Sequence, residues 1–162
     1  MARTLALLVA LAPTIAAAAP TPLASNVTRA PLEPAVVIVP ATAGKTTLER
    51  YRNRSAKPVS GTPLVVIVRL PDANSPDVVA VKDAHRDGTK VKVAIETRKY
   101  DGPLAANVVT TPLVEIALGD LAPATYTIEI GEQILHFTKY DAPQTAARAH
   151  RGMESSITLT VQ

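Results

Sequence analysis

The chain has 162 residues, with 17 Lys and Arg against 14 Asp and Glu, and it contains no Cys. The absence of Cys excludes disulfides and a lipid-modified N-terminal Cys, and the small positive excess gives no reason to expect nucleic-acid binding. Four Tyr, one Phe and no Trp leave few aromatic side chains for stacking, so neither glycans nor single-stranded nucleic acids are expected ligands.

The N-terminus has the pattern of a secretory signal peptide. Arg3 is followed by an apolar stretch (residues 5–12) and then by small residues, and this stretch is too short to cross a bilayer as a helix. Cleavage after Ala18 fits best, because Ala16 and Ala18 form an A-x-A site. The sequence therefore predicts removal of residues 1–18 and an extracytoplasmic mature protein, either periplasmic or secreted, with no later membrane span.

Residues 19–34 differ in composition from the rest of the mature chain. They are rich in Pro, Thr and Ser, and their few apolar residues follow neither the helical nor the strand period. Such a composition is typical of extended tethers. We expect a flexible Pro-rich leader followed by a single domain at 35–162, a length sufficient for an ordinary hydrophobic core.

A Gly-Lys-Thr sequence follows the first apolar run, in "VVIVPATAGKTT" (36–47). A nucleotide-binding P-loop requires a glycine five positions before Gly44, and that position holds Val39, whose β-branched side chain tolerates positive φ poorly. The residues after Thr46 soon reach a turn signal, so no helix is expected there or elsewhere in the chain. We interpret Gly44 and Lys45 as an ordinary turn between strands.

The remaining elements are predicted to be strands, because apolar residues recur at every second position. In "KVKVAIE" (90–96), for example, Val91, Val93 and Ile95 share one face. The continuous apolar runs at 35–39 and 64–68 are interpreted as central strands. Further strands are expected at 77–82, 114–118, 126–130, 135–137 and 157–161. About eight to ten short strands separated by Gly-containing turns predict an antiparallel β-sandwich.

The segment "VEIALGDLAPATYTIEI" (114–130) sharpens this prediction. It resembles the corner between strands E and F of immunoglobulin-like and fibronectin type III domains, where a Leu-x-Pro turn precedes a Tyr whose hydroxyl bonds back to the turn. The resemblance implies that Leu121, Pro123 and Tyr126 take these positions. The expected fold class is therefore all-β, a single immunoglobulin-like antiparallel β-sandwich of the bacterial type.

One predicted hairpin carries candidate metal ligands. In "KDAHRDG" (82–88), Asp83, His85 and Asp87 alternate, and they could converge on a cation if the segment folds inward. The preferred interpretation is a solvated hairpin tip closed by Asp87 and Gly88. His136 lies on the strand face opposite to its apolar neighbours, so we expect a surface residue or a hydrogen-bonded partner. No metal site is assigned.

No motif for catalysis is present. The chain lacks a Cys nucleophile and a G-x-S-x-G elbow. Asp72 and Asp77, in "LPDANSPD", would have to meet in a cleft to act as a carboxylate pair, and they are more simply loop acids with turn propensity. The sequence predicts a protein that is not an enzyme and uses no cofactor.

The most charged irregular stretch is "QTAARAHRGMESS" (144–156). It contains Arg148, His150 and Arg151, and we interpret it as a long connection before the last strand, a position that often carries recognition on rigid sandwiches. These three residues are the candidate binding residues, and a solvated loop is the alternative. The last strand could in addition lie at a sheet edge and pair with a partner strand.

These features predict an exported, non-catalytic β-sandwich that contacts another extracytoplasmic protein in an accessory, adhesion or assembly role. A secreted protease inhibitor that inserts its 141–155 loop into a protease cleft is the first alternative. A periplasmic metal-binding protein that uses Asp83, His85 and Asp87 is the second.

Overall fold

The structure is a computed structural model that describes residues 21–30, 36–54, 61–74, 76–103, 108–138 and 148–162. These residues form an all-β fold, as the alternating pattern predicts, with ten strands and one short helix. In chain order the elements are β1 (Thr21–Pro22), β2 (Ser25–Ala30), β3 (Val36–Pro40), α1 (Thr47–Arg52), β4 (Leu64–Arg69), β5 (Ala73–Asn74), β6 (Val78–Asp87), β7 (Lys90–Tyr100), β8 (Val109–Gly119), β9 (Ala124–Phe137) and β10 (Arg148–Val161).

The strands form two packed sheets. Sheet 1 has the order β1-β6-β7-β9-β10, and sheet 2 has the order β2-β8-β4-β3 with β5 paired to β8. Every described neighbour pair is antiparallel except β7 and β9, which are parallel. The prediction of a purely antiparallel sandwich is corrected at this pair. The chain leaves sheet 1 for β8 of sheet 2 and re-enters sheet 1 at β9, so β7 and β9 run in the same direction.

The main core lies between the sheets and follows the two-residue period. Val91, Val93 and Ile95 of β7 are buried as predicted, and Lys90 and Lys92 are exposed. The same core contains alternate residues of the neighbouring strands, including Leu64, Val66, Val68, Val114, Ile116, Leu118, Ile128, Ile130, Leu159 and Val161. Burial of these side chains is the main stabilising contribution that holds the two sheets together.

Strand β4 is buried at all six positions, because sheet 2 is covered on both faces. One face contacts the main core, and the other packs against α1. This second cluster consists of Val39, Tyr51, Val65, Ile67 and Leu113. The prediction that the run at 64–68 is a central strand is confirmed, whereas the run at 35–39 corresponds to β3, which is an edge strand. A continuous apolar run here reflects two covered faces and not a central position in the sheet.

Helix α1 covers the outer face of sheet 2, and the prediction that the chain has no helix is wrong. The hydroxyl of Thr46 accepts a hydrogen bond from the backbone N–H of Glu49 (3.3 Å), and Glu49 Oε2 accepts one from the N–H of Thr46 (2.7 Å). This capping box stabilises a helix of only six residues. Gly44 adopts φ 73° in the preceding turn, so the predicted turn is confirmed, but it leads from β3 into α1.

An ion pair anchors α1 to β8. Arg50 Nη1 lies 2.8 and 2.9 Å from the two carboxylate oxygens of Glu115, and Arg50 Nη2 donates to the carbonyl oxygen of Thr42 at 3.1 Å. The two charged side chains are only 16% and 13% exposed. Their contact therefore lies in a partly dehydrated layer between helix and sheet.

Residues 21–30 belong to the predicted leader, yet they pair with both sheets. Strand β1 pairs with β6 at Arg86 and His85, and β2 pairs with β8 along its whole length. This corrects the leader prediction for the segment, because main-chain hydrogen bonds to a sheet edge require no alternating apolar pattern. The predicted signal peptide, residues 1–18, lies outside the described residues.

The corner before β9 has the contact that the sequence resemblance implies. The hydroxyl of Tyr126 donates to the carbonyl oxygen of Ala122 at 3.1 Å. Leu121 and Tyr126 are buried, whereas Pro123 is exposed. Gly119, at the end of β8, adopts φ 70°, a conformation that favours glycine. This corner fixes where β9 begins and thus the register of the two long strands that carry the candidate site.

Candidate functional site

Strand β10 forms one edge of sheet 1. It pairs with β9 on one side over most of its 14 residues. On the other side no described strand pairs with it. The expected edge position of the last strand is therefore confirmed, and this edge presents backbone N–H and C=O groups that a further strand could pair with.

The predicted binding residues lie in this edge strand. Arg148, His150 and Arg151 belong to β10 and pair in register with His136, Ile134 and Gln133 of β9. The interpretation of residues 148–155 as a loop is thus wrong, and residues 141–147 lie outside the described residues. Alternation fails as a signal here because polar side chains occupy both faces of this half of the strand.

The three residues do not converge on one surface. Arg148 and His150 extend the strand face that is buried farther along β10, whereas Arg151 lies on the opposite face. The side chain of Arg151 is 86% exposed and contacts Glu154 Oε1 at 3.1 Å. The structure therefore brings His150 and Arg148 together and separates Arg151 from them.

A bulge interrupts β10 after Arg151, where the register with β9 shifts. The buried carboxylate of Glu132 on β9 accepts hydrogen bonds from the N–H of Met153 (2.9 Å) and from the hydroxyl of Thr97. A Cβ at Gly152 would lie 2.7 Å from Glu132 Cδ and closer still to Oε2. The bulge thus depends on a glycine next to a buried acid, a relation that no sequence motif predicts.

His136 lies farther along β9, where it pairs with Arg148, and it is buried. Its side chain is 8% exposed, its Nδ1 lies 2.9 Å from each carboxylate oxygen of Asp101, and its ring stacks on that of His150 with centroids 5.0 Å apart. Its Nε2 is buried and has no hydrogen-bond partner among the described residues. The prediction that His136 is a surface residue is therefore wrong. The alternative, that it is a hydrogen-bonded partner, is correct for Nδ1 only.

The outer face of sheet 1 carries two adjoining hollows of about 590 and 500 Å³. They share a floor of Ala94 and Gly131, which are register partners on β7 and β9. Small side chains at these positions leave the hollows open. Their walls include Asp83, His85, Lys92, Glu129, Gln133, Arg151 and Glu154. Charges of both signs alternate along this face, so it shows no preference for one sign of ligand.

The predicted metal ligands lie at the end of this face. Strand β6 ends at Asp87 and β7 begins at Lys90, with Gly88 at φ 57° between them, so the predicted hairpin is confirmed. His85 Nδ1 lies 2.8 Å from Asp83 Oδ2. No group of three or more His, Cys, Asp or Glu side chains could hold a metal ion within the described part of the chain. The three predicted ligands therefore do not form a three-ligand site.

The two acids weighed as a catalytic pair are bonded to separate groups. Asp77 is buried, and its carboxylate accepts hydrogen bonds from the N–H groups of Asn74 and Tyr100, both at 2.9 Å. Asp72 is exposed and accepts a hydrogen bond from the hydroxyl of Thr111. Both acids lie in the segments that flank β5, which agrees with their interpretation as loop acids.

The Gly-Lys-Thr segment does not form a phosphate site. Hydrogen bonds from the backbone and hydroxyl of Thr46 hold the pKa of Glu49 below its usual value, so a carboxylate occupies the helix start. An anionic phosphate would be repelled there. Val39 is moreover buried within β3.

Comparison with known proteins finds no matching family, no matching curated protein and no matching solved structure. In the described segments, no helix is both long and apolar enough to cross a membrane.

Proposed function

We propose that the chain is an exported, non-catalytic, immunoglobulin-like β-sandwich that binds another extracytoplasmic protein by pairing the edge of β10 with an extended segment of that partner. The observation that carries the proposal is the long β10 edge, which has no strand partner among the described residues. Main-chain hydrogen bonds would supply affinity, and alternate side chains would supply specificity.

The second half of β10 suits strand addition better than any other edge in the described part of the chain. Natural edge strands are protected by Lys, Pro, bulges or shortness, and residues 155–161 contain neither Lys nor Pro. The bulge protects only the part of β10 near Arg151. The other edge strands, β1, β2 and β3, have two, six and five residues. An eight-residue edge from Glu154 to Val161 is therefore the best available template.

The immunoglobulin-like assignment is supported by the tyrosine corner, in which Tyr126 bonds back to Ala122. The parallel pair of β7 and β9 departs from the antiparallel sheets of that fold. The export part of the proposal rests on the signal-peptide pattern at residues 1–18. Accessory, adhesion and assembly roles all require this kind of contact.

The test is an affinity pull-down from the extracytoplasmic fraction of the source, read by mass spectrometry, with two matched variants. Thr158→Lys with Thr160→Lys places two lysines on the exposed face of the edge strand, which should block pairing. Thr125→Lys with Thr127→Lys places them on β9, one strand inside, as the control. Near-stoichiometric recovery of one partner that is lost only in the edge variant is expected. Equal recovery with both variants, or no partner, would refute the edge proposal.

The identity of the partner also separates the alternatives. If the partner is a protease, dose-dependent inhibition of its activity would favour the inhibitor interpretation. Inhibition that persists after Arg148→Ala with Arg151→Ala would then exclude these residues from the mechanism.

A further inference from the structure

We propose that His136 and His150 together bind one divalent transition-metal ion of the kind that prefers imidazole, such as Zn²⁺, Ni²⁺ or Cu²⁺, with Asp101 as the residue that orients His136. This inference is independent of strand addition at the β10 edge. It uses the two histidines at the first half of β10 and the end of β9, away from the hairpin that carries His85.

The hydrogen bond to Asp101 determines which nitrogen of His136 is available. An ionised carboxylate only accepts hydrogen bonds, so Nδ1 carries a proton. Nε2 is therefore the nitrogen left to bind a metal ion, which takes the neutral imidazole. Metal-binding histidines almost always donate their other ring N–H to a carboxylate, a carbonyl or water, which orients the ring and raises its basicity. His136 has this arrangement, and its buried Nε2 has no described partner. A buried acceptor without a partner is costly unless something binds it.

His150 supplies the second imidazole. It pairs with Ile134, so it lies on the same face of the sheet as His136 and next to it on the adjoining strand. The ring centroids are 5.0 Å apart at an interplanar angle of 27°. Two rings that share an ion at metal–nitrogen distances of about 2.0–2.1 Å need a separation of this order. His150 is exposed, so its ring can rotate to direct a nitrogen at the ion.

The charges around the pair indicate which class of metal is favoured. Lys99 and Arg148 are the register neighbours of His136 on either side, and the carboxylate of Asp101 is bonded to its ring. Two positive groups and one carboxylate, which is already bonded to His136, give no net attraction for a hard cation. The preference for one metal ion over another must therefore come from the imidazole nitrogens, which favour Zn²⁺, Ni²⁺ and Cu²⁺ over Ca²⁺ and Mg²⁺. Water or a partner's side chain would complete the coordination.

The test is equilibrium dialysis of the untagged protein against Zn²⁺ or Ni²⁺, with Ca²⁺ as the negative comparison and thermal unfolding as a second readout. We expect about one Zn²⁺ or Ni²⁺ per chain, no Ca²⁺, and a melting temperature that rises with the bound ion. His150→Ala should weaken binding at least tenfold, and Asp101→Asn by about 10- to 100-fold. His85→Ala is the matched control, because it removes the third histidine and should leave binding unchanged.

Four outcomes would overturn the proposal: no ion bound by the unmodified protein, equal binding by His150→Ala, equal binding by Asp101→Asn, or loss of binding in His85→Ala. His136→Gln should abolish binding, but this side chain is buried, so loss of binding in that variant does not separate loss of a ligand from loss of the fold. The decision therefore rests on the variants at His150, which is exposed, and at Asp101, which is 42% exposed.

Discussion

Gly152→Ala should destabilise the protein through a single side chain, Glu132. The new Cβ would lie 2.7 Å from Glu132 Cδ, so the carboxylate would have to leave its site and release the N–H of Met153 and the hydroxyl of Thr97. Hydrogen bonds to a charged group contribute about 1.5–3 kcal/mol each. Rehydration of the displaced carboxylate offsets part of that sum, so we expect a net loss of about 2–4 kcal/mol in the free energy of unfolding.

The same substitution should behave differently when Glu132 is already absent. In a Glu132→Ala background the overlap disappears, and Gly152→Ala should be neutral or should stabilise by about 0.4–1 kcal/mol, because alanine restricts the unfolded chain. Gly131→Ala is the matched control in the unmodified protein, since a Cβ there meets no atom within 4 Å. It should change stability by no more than roughly 1 kcal/mol.

The assay is urea unfolding followed by far-UV circular dichroism on the single, double and control variants. A loss of about 2–4 kcal/mol corresponds to a melting temperature lower by roughly 6–12 °C for a domain of this size. The reasoning is refuted if Gly152→Ala causes the same loss with and without Glu132, because the loss would then come from the backbone of the bulge.

Three further predictions concern the corner, the ion pair and the helix cap. Tyr126→Phe should lower the free energy of unfolding by about 1 kcal/mol, since it removes one hydrogen bond to an exposed turn, and a loss above 3 kcal/mol by urea unfolding would contradict this. A double-mutant cycle with Arg50→Met and Glu115→Gln should give a coupling energy of about 1–3 kcal/mol, between the values of exposed and buried pairs, and a value near zero would show that the contact does not form in solution. Glu49→Gln should lower the melting temperature at pH 7. The folded-state pKa of Glu49 is depressed, so its stabilisation is present above the unfolded pKa and is lost as pH falls through the folded value. The difference between Glu49→Gln and the unmodified protein should therefore shrink as the pH falls below the ordinary pKa of Glu, about 4.3, and a difference independent of pH would exclude the charge as the cause.

Prediction from sequence succeeds where burial is one-sided. Strand β7 is an example, because Val91, Val93 and Ile95 face the core, whereas Lys90 and Lys92 face water. Prediction from sequence is less informative where both faces of the sheet are covered. The runs at 35–39 and 64–68 differ only in their first residue, yet the first corresponds to an edge strand and the second to a central one. Helix α1, which covers both, is too short to show a periodic pattern, although Thr46 and Glu49 have the spacing of a capping box.

The candidate site was predictable only in part. The charged stretch around Arg148 and the edge position of the last strand are both apparent in the sequence. The pairing of His136 with Asp101 and His150 is not, because those residues are 35 and 14 positions away. Asp101 meets His136 only through the β7–β9 pairing, and His150 meets it only through the β9–β10 register. The buried Glu132 is missed for the same reason. The alternation of β9 places Glu132 on the inner face. Nothing in the neighbouring sequence indicates that Thr97 and Met153 will donate hydrogen bonds to its carboxylate.

The parallel pair at the centre of sheet 1 has a consequence for how the protein folds. The β6–β7 hairpin closes through a turn of two residues and can form locally. Strand β9 can join β7 only after β8 has crossed to sheet 2, so the centre of sheet 1 is completed by a contact that is distant along the chain. Such contacts form slowly, and until they form the edges of β7 and β9 remain open to other chains. A chain of this topology would therefore gain more from a chaperone during its folding than one whose strands all pair in hairpins.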